Sequence, residues 1–359
     1  MNNRIIIVVI FLFTTISAQS QSTVSFADSI RKTYQIPELA YVALSSDFVF
    51  ELEVLGVQRI NTNYIAHQKD RFHIGSNTKA ITSFIAALLV QENKINWNTT
   101  FFELFPELKS KSKKAYYNIT LQDLLTFRGK LPAYTYTNKQ PTNKQIARSN
   151  AEQRYALAKY FLSQKPMIEN ENGLTPSNAD YILAGLMLEK ASGKSYKELV
   201  TDFGKKIGIQ FGFDYPNMTD TLQPYGHDAN LNPVLPFDNY KLNWLLSAGN
   251  INISIDEYAK FILLHLIGLK ENTPFLPTKT FEKLLYELPV FSFGWFNNID
   301  STTNHHIAYN TGNAGAFITK VEIIKEADRA YIIFTNSSTA QTSEGIAILL
   351  EELKRKYGK

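Results

Sequence analysis

Strand-like runs gather at the two ends of this chain, and helical spacing fills its middle. Near the start, A-Y-V-A-L (Ala40–Leu44) and V-F-E-L-E-V-L-G-V (Val49–Val57) are rich in β-branched and aromatic residues and are joined by Ser45-Ser46-Asp47, the pattern of a hairpin. Near the end, Ser292–Phe296, His305–Asn310, Ala316–Ile324 and Ala330–Asn336 are further strand candidates. Between them, apolar residues recur at helical spacing in Ala80–Val90, Leu121–Leu125, Tyr155–Phe161, Tyr181–Ala191 and Tyr258–Leu269. Ser25–Tyr34 and Thr342–Lys356 read as amphipathic helices, the second through Ile346, Leu349, Leu350 and Leu353. The economical solution is an α+β fold: one antiparallel sheet made from both chain ends, flanked by the terminal helices, with a large all-helical insert. The sheet part is expected at about 25–72 and 290–359 and the helical part at about 76–289. Long polar loops at Tyr134–Asn150 and Tyr215–Asn239 separate the helices. An apolar content of 44 % over 359 residues is enough for a core of that size. A site is expected in the crevice between the two parts.

The first residues read as a secretory leader. Arg4 is the positive start, Ile5–Ile16 the apolar stretch, and Ser17-Ala18-Gln19-Ser20 offers small residues for cleavage after Ala18. Residues 1–18 are therefore expected to be a signal peptide, and 19–359 one domain that is secreted or periplasmic, with no membrane span after cleavage. An uncleaved N-terminal anchor is the alternative. The chain has no cysteine, so it offers no lipidated-cysteine anchor, no disulfide and no thiolate metal site. The formal net charge of +4 is mild, and Lys109–Lys114 is the densest basic run. One short run is a solvated loop rather than a nucleic-acid face, so no nucleic-acid partner is expected. The six histidines show no zinc-binding spacing, and no metal or cofactor is expected.

Chemistry concentrates in F-H-I-G-S-N-T-K-A-I-T-S-F-I-A-A-L-L, Phe72–Leu89. A short extended run ends at Gly75 and a helix starts at Ser76, which places the Lys79 amine on the same face one turn along. The Ser76 N–H lies at a helix N-terminus, where backbone donors are free to meet an oxyanion. Burial can lower a lysine's pKa far enough to make it a base. The S-x-x-K spacing also occurs at Ser29–Lys32 and Ser110–Lys113, but only Ser76–Lys79 has a turn before a buried helix. T-P-S-N-A-D-Y-I-L-A-G, Thr175–Gly185, opens another helix. Ser177 or Asn178 can cap it, and Asp180 suits the dipole of its first turn.

The text around these residues resembles the serine β-lactamase and penicillin-binding-protein superfamily, in its class C β-lactamase-like branch. H-I-G-S-N-T-K-A-I-T-S is similar to the nucleophile region, and I-T-L-Q-D-L-L-T-F-R-G-K-L-P to the segment after it. P-S-N-A-D-Y-I-L-A-G resembles the second motif, L-S-A-G-N-I-N-I-S-I-D-E-Y-A-K-F an Ala-Gly-Gly segment, and N-T-G-N-A-G-A-F the third motif. Five such segments in this order are more specific than any one of them. The resemblance implies that Ser76 is the acylated nucleophile and Lys79 its base. It implies that Asn178 contacts Lys79 and the substrate amide. Asn310, Thr311 and Gly312 stand at the third motif, and the backbone N–H groups of Ser76 and Asn313 would form the oxyanion hole.

Two positions depart from the family pattern. Pro176 stands where the second motif normally has a tyrosine, and Asn310 where the third normally has lysine or histidine. Phe127 also replaces the histidine of a Leu-Leu-Thr-His segment. Tyr134, Tyr136, Tyr309, His305, His306 and the His227-Asp228 pair are the candidates to compensate, each with a packing or surface role as the plainer reading. The expected function is hydrolysis of a small-molecule, peptide or ester substrate, of cell-wall origin in one version, through an acyl-enzyme on Ser76. The alternative is a degenerate member that binds a cell-wall peptide or a partner without turnover.

Overall fold

The computed structural model describes residues 23–146, 149–218, 220–235 and 240–358. The expected leader, residues 1–18, lies outside them. Among the described residues ten strands follow one another: β1 (Glu38–Leu44), β2 (Val49–Gly56), β3 (Arg71–His73), β4 (Gly212–Phe213), β5 (Ile251–Ser254), β6 (Val290–Ser292), β7 (Trp295–Ile299), β8 (His306–Asn313), β9 (Ile318–Ile324) and β10 (Arg329–Thr335). Seven of them make one antiparallel sheet in the order β2-β1-β10-β9-β8-β7-β6. The two chain ends meet where β1 pairs with β10, Leu39 opposite Thr335 through Leu44 opposite Ala330.

Every residue of β1 is buried, because its two faces enter two different cores. Ala40, Val42 and Leu44 face the large core shared with the helical region. Leu39, Tyr41 and Ala43 alternate to the other face, against Ile346, Leu349, Leu350 and Leu353 of the C-terminal helix, Ala340–Tyr357, and Ala27 of the N-terminal helix. Period-two alternation with both faces covered gives a continuously apolar strand. The molecule therefore has three layers: terminal helices, sheet, and a helical region inserted between β2 and β6.

That helical region also carries a small sheet, β3-β5-β4, which its sequence pattern does not suggest; strands of two to four residues are too short to show a period. The expected strand Ser292–Phe296 is corrected too. It straddles a hairpin: Ser292 of β6 pairs with Trp295 of β7 across Phe293-Gly294, and Gly294 takes the left-handed φ of 89° that such a turn needs. An apolar run that pauses at one glycine reads the same whether the chain continues or reverses. Among the described residues no helix is long and apolar enough to cross a membrane.

Candidate active site

Strand β3 delivers the chain into a single 3-10 turn, Gly75–Asn77, and the helix Thr78–Gln91 begins directly after it. Ser76 thus sits in the tight turn before the helix, two residues ahead of the α-helical start. Strand β8 runs hard against this turn. A Cβ on Gly312 would lie 1.9 Å from the Ile74 carbonyl oxygen, and one on Gly75 2.8 Å from the Asn313 nitrogen. Gly75 also has φ 49°, in the left-handed region. These two glycines let the backbone of Asn313 lie beside Gly75-Ser76. The seam is pinned by Asn77 Nδ2, which donates to Thr319 Oγ1 at 2.8 Å, and by Thr319 Oγ1, which donates to the Ile74 carbonyl at 3.1 Å.

Lys79 is 3 % exposed. Its Nζ donates to Ser76 Oγ at 3.0 Å and to the Ala248 carbonyl at 2.7 Å, and it stands 5.4 Å from the centre of the Tyr181 ring. Burial lowers its pKa from 10.5 to about 7, against a smaller upward pull from Asp180. Asp180 is completely buried, and neither carboxylate oxygen has a hydrogen-bond partner among the described residues. Burial pushes its pKa well above the usual carboxylate range; Asp123 adds to that and Lys79 opposes it. The lysine amine is thus removed from water without a full counter-charge in contact, since its hydrogen-bond partners among the described residues are a hydroxyl and a carbonyl.

The second motif enters from the helix Asn178–Ser192. Ser177 is its cap: the Ser177 hydroxyl accepts from the Ala179 N–H at 3.1 Å and donates to the Pro132 carbonyl at 2.6 Å. Asn178 donates its backbone N–H to Tyr134 O at 3.1 Å and lines a cleft of about 230 Å³ together with Ser76, Lys79, Pro176, Tyr134 and Thr311. The hydrogen bonds of Lys79 Nζ go to Ser76 and Ala248, and none joins it to Asn178, which lines the same cleft. Pro176 is exposed at the cleft.

Asn310 does something other than its family counterpart. It is 2 % exposed. Its Nδ2 donates to the Gly294 carbonyl at 2.7 Å and more distantly to the Ser76 carbonyl at 3.4 Å, while its Oδ1 accepts from the Thr311 N–H at 2.8 Å. The amide is consumed in joining β8, the β6–β7 turn and the Ser76 turn. The β6–β7 turn also abuts the nucleophile helix, for a Cβ on Gly294 would come within 2.7 Å of the Lys79 backbone.

The compensating candidates scatter. Tyr134 lines the cleft, and its ring packs on Phe161 at 5.0 Å. Tyr136 donates its hydroxyl to Asn313 Oδ1 at 3.4 Å, beside the end of β8. Tyr309 stacks on Phe296 at 5.7 Å under the Lys320 ammonium, outside the cleft lining. The strand begins at His306, so His305 lies before it; His306 pairs with Glu326 at 2.7 Å. Four residues of strand put His306 about 13 Å from Asn310. His227 is buried, with Nδ1 on the Asn336 carbonyl at 2.7 Å and Nε2 accepting from Ile60 N–H at 3.1 Å. Asp228 caps an exposed turn through the N–H groups of Asn230 and Asn232. These two build a loop, which is the plainer reading of the pair.

Sequence reasoning misses the Ala248 carbonyl and the burial of Asp180. The first is within reach, since Leu-Ser-Ala-Gly-Asn belongs to one of the five family-like segments; the second is hidden, because a first-turn aspartate reads equally well as a solvated one. A larger hollow of about 700 Å³ lies elsewhere, beside Arg71 and Asp214. Its charged groups are engaged with one another: Arg71 pairs with Glu257 at 3.4 Å and Lys69 with Asp256 at 2.9 Å, and the Ser254 hydroxyl donates to Asp256 at 2.5 Å. Among the described residues no cluster of three or more histidine, aspartate or glutamate side chains could hold a metal ion.

Comparison with known proteins fits this geometry. Protein flp of Staphylococcus aureus strain MW2 is 23 % identical over 333 residues, which cover 89 % of this chain and 62 % of that protein. The chain thus spans less than two thirds of the length of that relative. Among solved structures, D-alanine carboxypeptidase AmpC from Burkholderia cenocepacia matches with a TM-score of 0.73 at 16 % identity, over 94 % of this chain and 99 % of that one. FmtA from Staphylococcus aureus matches with a TM-score of 0.72 at 16 % identity, over 94 % and 90 %. At that identity the structural likeness speaks for the fold alone. The profile of the family described as "Beta-lactamase" matches residues 25–353, both halves of the sheet and everything inserted between them, and the chain belongs to that family.

Proposed function

We propose that this chain is a serine hydrolase that cleaves an ester or amide through an acyl-enzyme on Ser76, with Lys79 as the base. The observation that carries the reading is the 3.0 Å contact between Ser76 Oγ and an amine whose burial brings its pKa to about 7. Near neutral pH about half of such amines are uncharged. The neutral amine takes the Ser76 proton as Oγ bonds to the carbonyl carbon. The oxyanion that forms lies between the N–H groups of Ser76 and Asn313. The intermediate collapses, the bond to the leaving group breaks, and that group takes the proton from Lys79. Water then attacks the ester carbonyl by the same exchange and frees Ser76. With a proline at the second motif there is no phenol to pass a proton to a poor leaving group. Loss of an acid–base group costs on the order of 10²–10⁴-fold, so esters and activated acyl groups are cleaved ahead of unstrained peptides. The leader-like pattern of residues 1–18 supports an activity outside the cytoplasm.

A second reading has a specific observation behind it. Pro176 lies in the cleft and the Asn310 amide is spent on the backbone, which suits a member that binds a cell-wall peptide or a partner without turnover. One experiment separates the two: exposure of the purified protein and its Ser76→Ala variant to a fluorophosphonate and to labelled penicillin, read by intact mass. A single adduct on the wild type, absent from the variant, supports the hydrolase. Folded wild-type protein that takes neither label refutes it.

A further inference from the structure

One wall of the cleft is a ladder of aromatic rings. Phe127 stacks on Phe291 with centroids 4.2 Å apart and planes at 21°. Phe291 meets Phe296 edge-on at 4.8 Å, and Phe296 stacks on Tyr309 at 5.7 Å. Phe127, Phe291 and Phe296 all line the cleft. Phe127 and Phe291 are buried and fixed, whereas Phe296 is half-exposed. Phe127 is held at φ 57°, a region a bulky residue seldom enters. Its carbonyl is locked by the Thr175 N–H at 2.7 Å and the Thr175 hydroxyl at 3.2 Å. Such a conformation persists only where the surroundings over-determine it, so the wall is rigid.

The polar side of the cleft is neutral. Among the described residues Lys79 is the only charged one lining it, and its ammonium is committed to Ser76 and Ala248. Asn310 is spent on the backbone. Asn178 and Thr311 remain, beside the hydroxyl-bearing Tyr134, Thr135 and Ser177. A substrate carboxylate here would lose water and meet no charged lining group but Lys79, a costly exchange. A dry cavity of about 150 Å³ takes one benzene, so an open cleft of about 230 Å³ has room for one ring beside a reacting carbonyl.

We propose that the ladder of Phe127, Phe291 and Phe296 makes this site selective for substrates carrying one uncharged ring, or an apolar chain of similar size, next to the scissile carbonyl. This names the substrate class of the hydrolase proposed above and rests on that reading. Phe296, as the ring nearest solvent, sets the preference.

Binding to the Ser76→Ala protein tests this without requiring turnover. Phenylacetamide and succinamate, one bearing a ring and the other a carboxylate, are titrated by ligand-observed NMR into Ser76→Ala alone and combined with Phe296→Ala or Phe296→Leu. A single methylene is worth roughly 10–200-fold in a hydrophobic pocket; phenylacetamide is expected to bind at least about tenfold tighter than succinamate. Phe296→Ala should remove most of that ratio, and Phe296→Leu, which keeps apolar bulk and protects the fold, part of it. Succinamate binding as tightly as phenylacetamide, or a ratio untouched by both Phe296 variants, overturns the proposal. The ring preference holding in a wild type that no phosphonate labels would sink the hydrolase reading and leave the ring-selective site standing.

Discussion

Replacing Lys79 by methionine should make the protein more stable, and by an amount that depends on pH. The amine is buried, and its pKa falls from 10.5 to about 7. The folded state therefore holds the proton less well than the unfolded chain. Below pH 7 both states are protonated and the folded state carries the whole penalty, about 5 kcal/mol for a shift of this size. As pH rises through 7 the folded amine neutralises while the unfolded one does not, and the penalty shrinks, to about 2 kcal/mol at pH 9. Above 10.5 it vanishes. The thioether fills similar space, and whatever methionine loses in packing and in the bonds to Ser76 and Ala248 does not vary with pH. So the difference between variant and wild type should be larger at pH 6 than at pH 9 by about 3 kcal/mol. Urea unfolding of both proteins at the two pH values measures it, with Asp180→Asn run alongside because Asp180 is the carboxylate that pulls the amine upward. A difference that changes by less than about 0.5 kcal/mol between pH 6 and 9, well below the shift expected from linkage, would refute the argument. It would mean that Lys79 keeps an ordinary pKa, and the case for it as a base at neutral pH would go with it.

Three further outcomes follow from the same geometry. The rate at which a neutral phosphonate ester labels Ser76 should climb about tenfold per pH unit below 7 and level off above about 8, tracking the neutral amine; a flat profile across that range would remove Lys79 from the step. Asn310→Ala strands the buried Gly294 carbonyl and the Thr311 N–H that it now satisfies, and should cost about 2–3 kcal/mol in urea unfolding; a neutral substitution would show that the amide does not hold the seam. Pro176→Tyr puts a phenol at the mouth of the cleft and should raise acylation by labelled penicillin about 100-fold, the low end of the usual range for an added acid–base group. No gain would point to the aromatic wall as the obstacle.

The sheet is legible because both ends of the chain carry short apolar runs rich in β-branched and aromatic residues. Leu39–Leu44 and Ala330–Thr335 are too apolar to stand alone, and each is the partner the other needs. The β6–β7 hairpin is not legible, because Phe293-Gly294-Trp295-Phe296 reads equally well as one strand and its only mark is Gly294. The nucleophile turn can be read from Gly75-Ser76 followed by a buried helix. The role of Asn310 cannot, since a side chain's hydrogen-bond partners come from residues far away in sequence: Gly294 is sixteen positions off and the Ser76 carbonyl more than two hundred.

The hidden role of Asn310 changes the meaning of the two departures from the family pattern. From sequence, Pro176 and Asn310 are two subtractions, one of a phenol and one of a positive charge. In the fold they are unlike. Pro176 is exposed at the mouth of the cleft and fills no place in the hydrogen-bonded seam. Asn310 has been built into the backbone seam that positions Ser76. A lysine there would bury a charge in place of three hydrogen-bonding contacts, so restoring the family residue would damage the turn it is meant to serve. Phe127 departs in the same direction, a ring in place of an imidazole at the head of an aromatic wall. Groups that carry charge or protons have been withdrawn from this cleft at three positions while the Ser76–Lys79 contact is kept at 3.0 Å. Loss of function by drift gives no reason for the nucleophile and its base to stay aligned while their surroundings turn apolar together. A change of substrate of the kind proposed above, from one carrying a carboxylate to one that does not, would account for both.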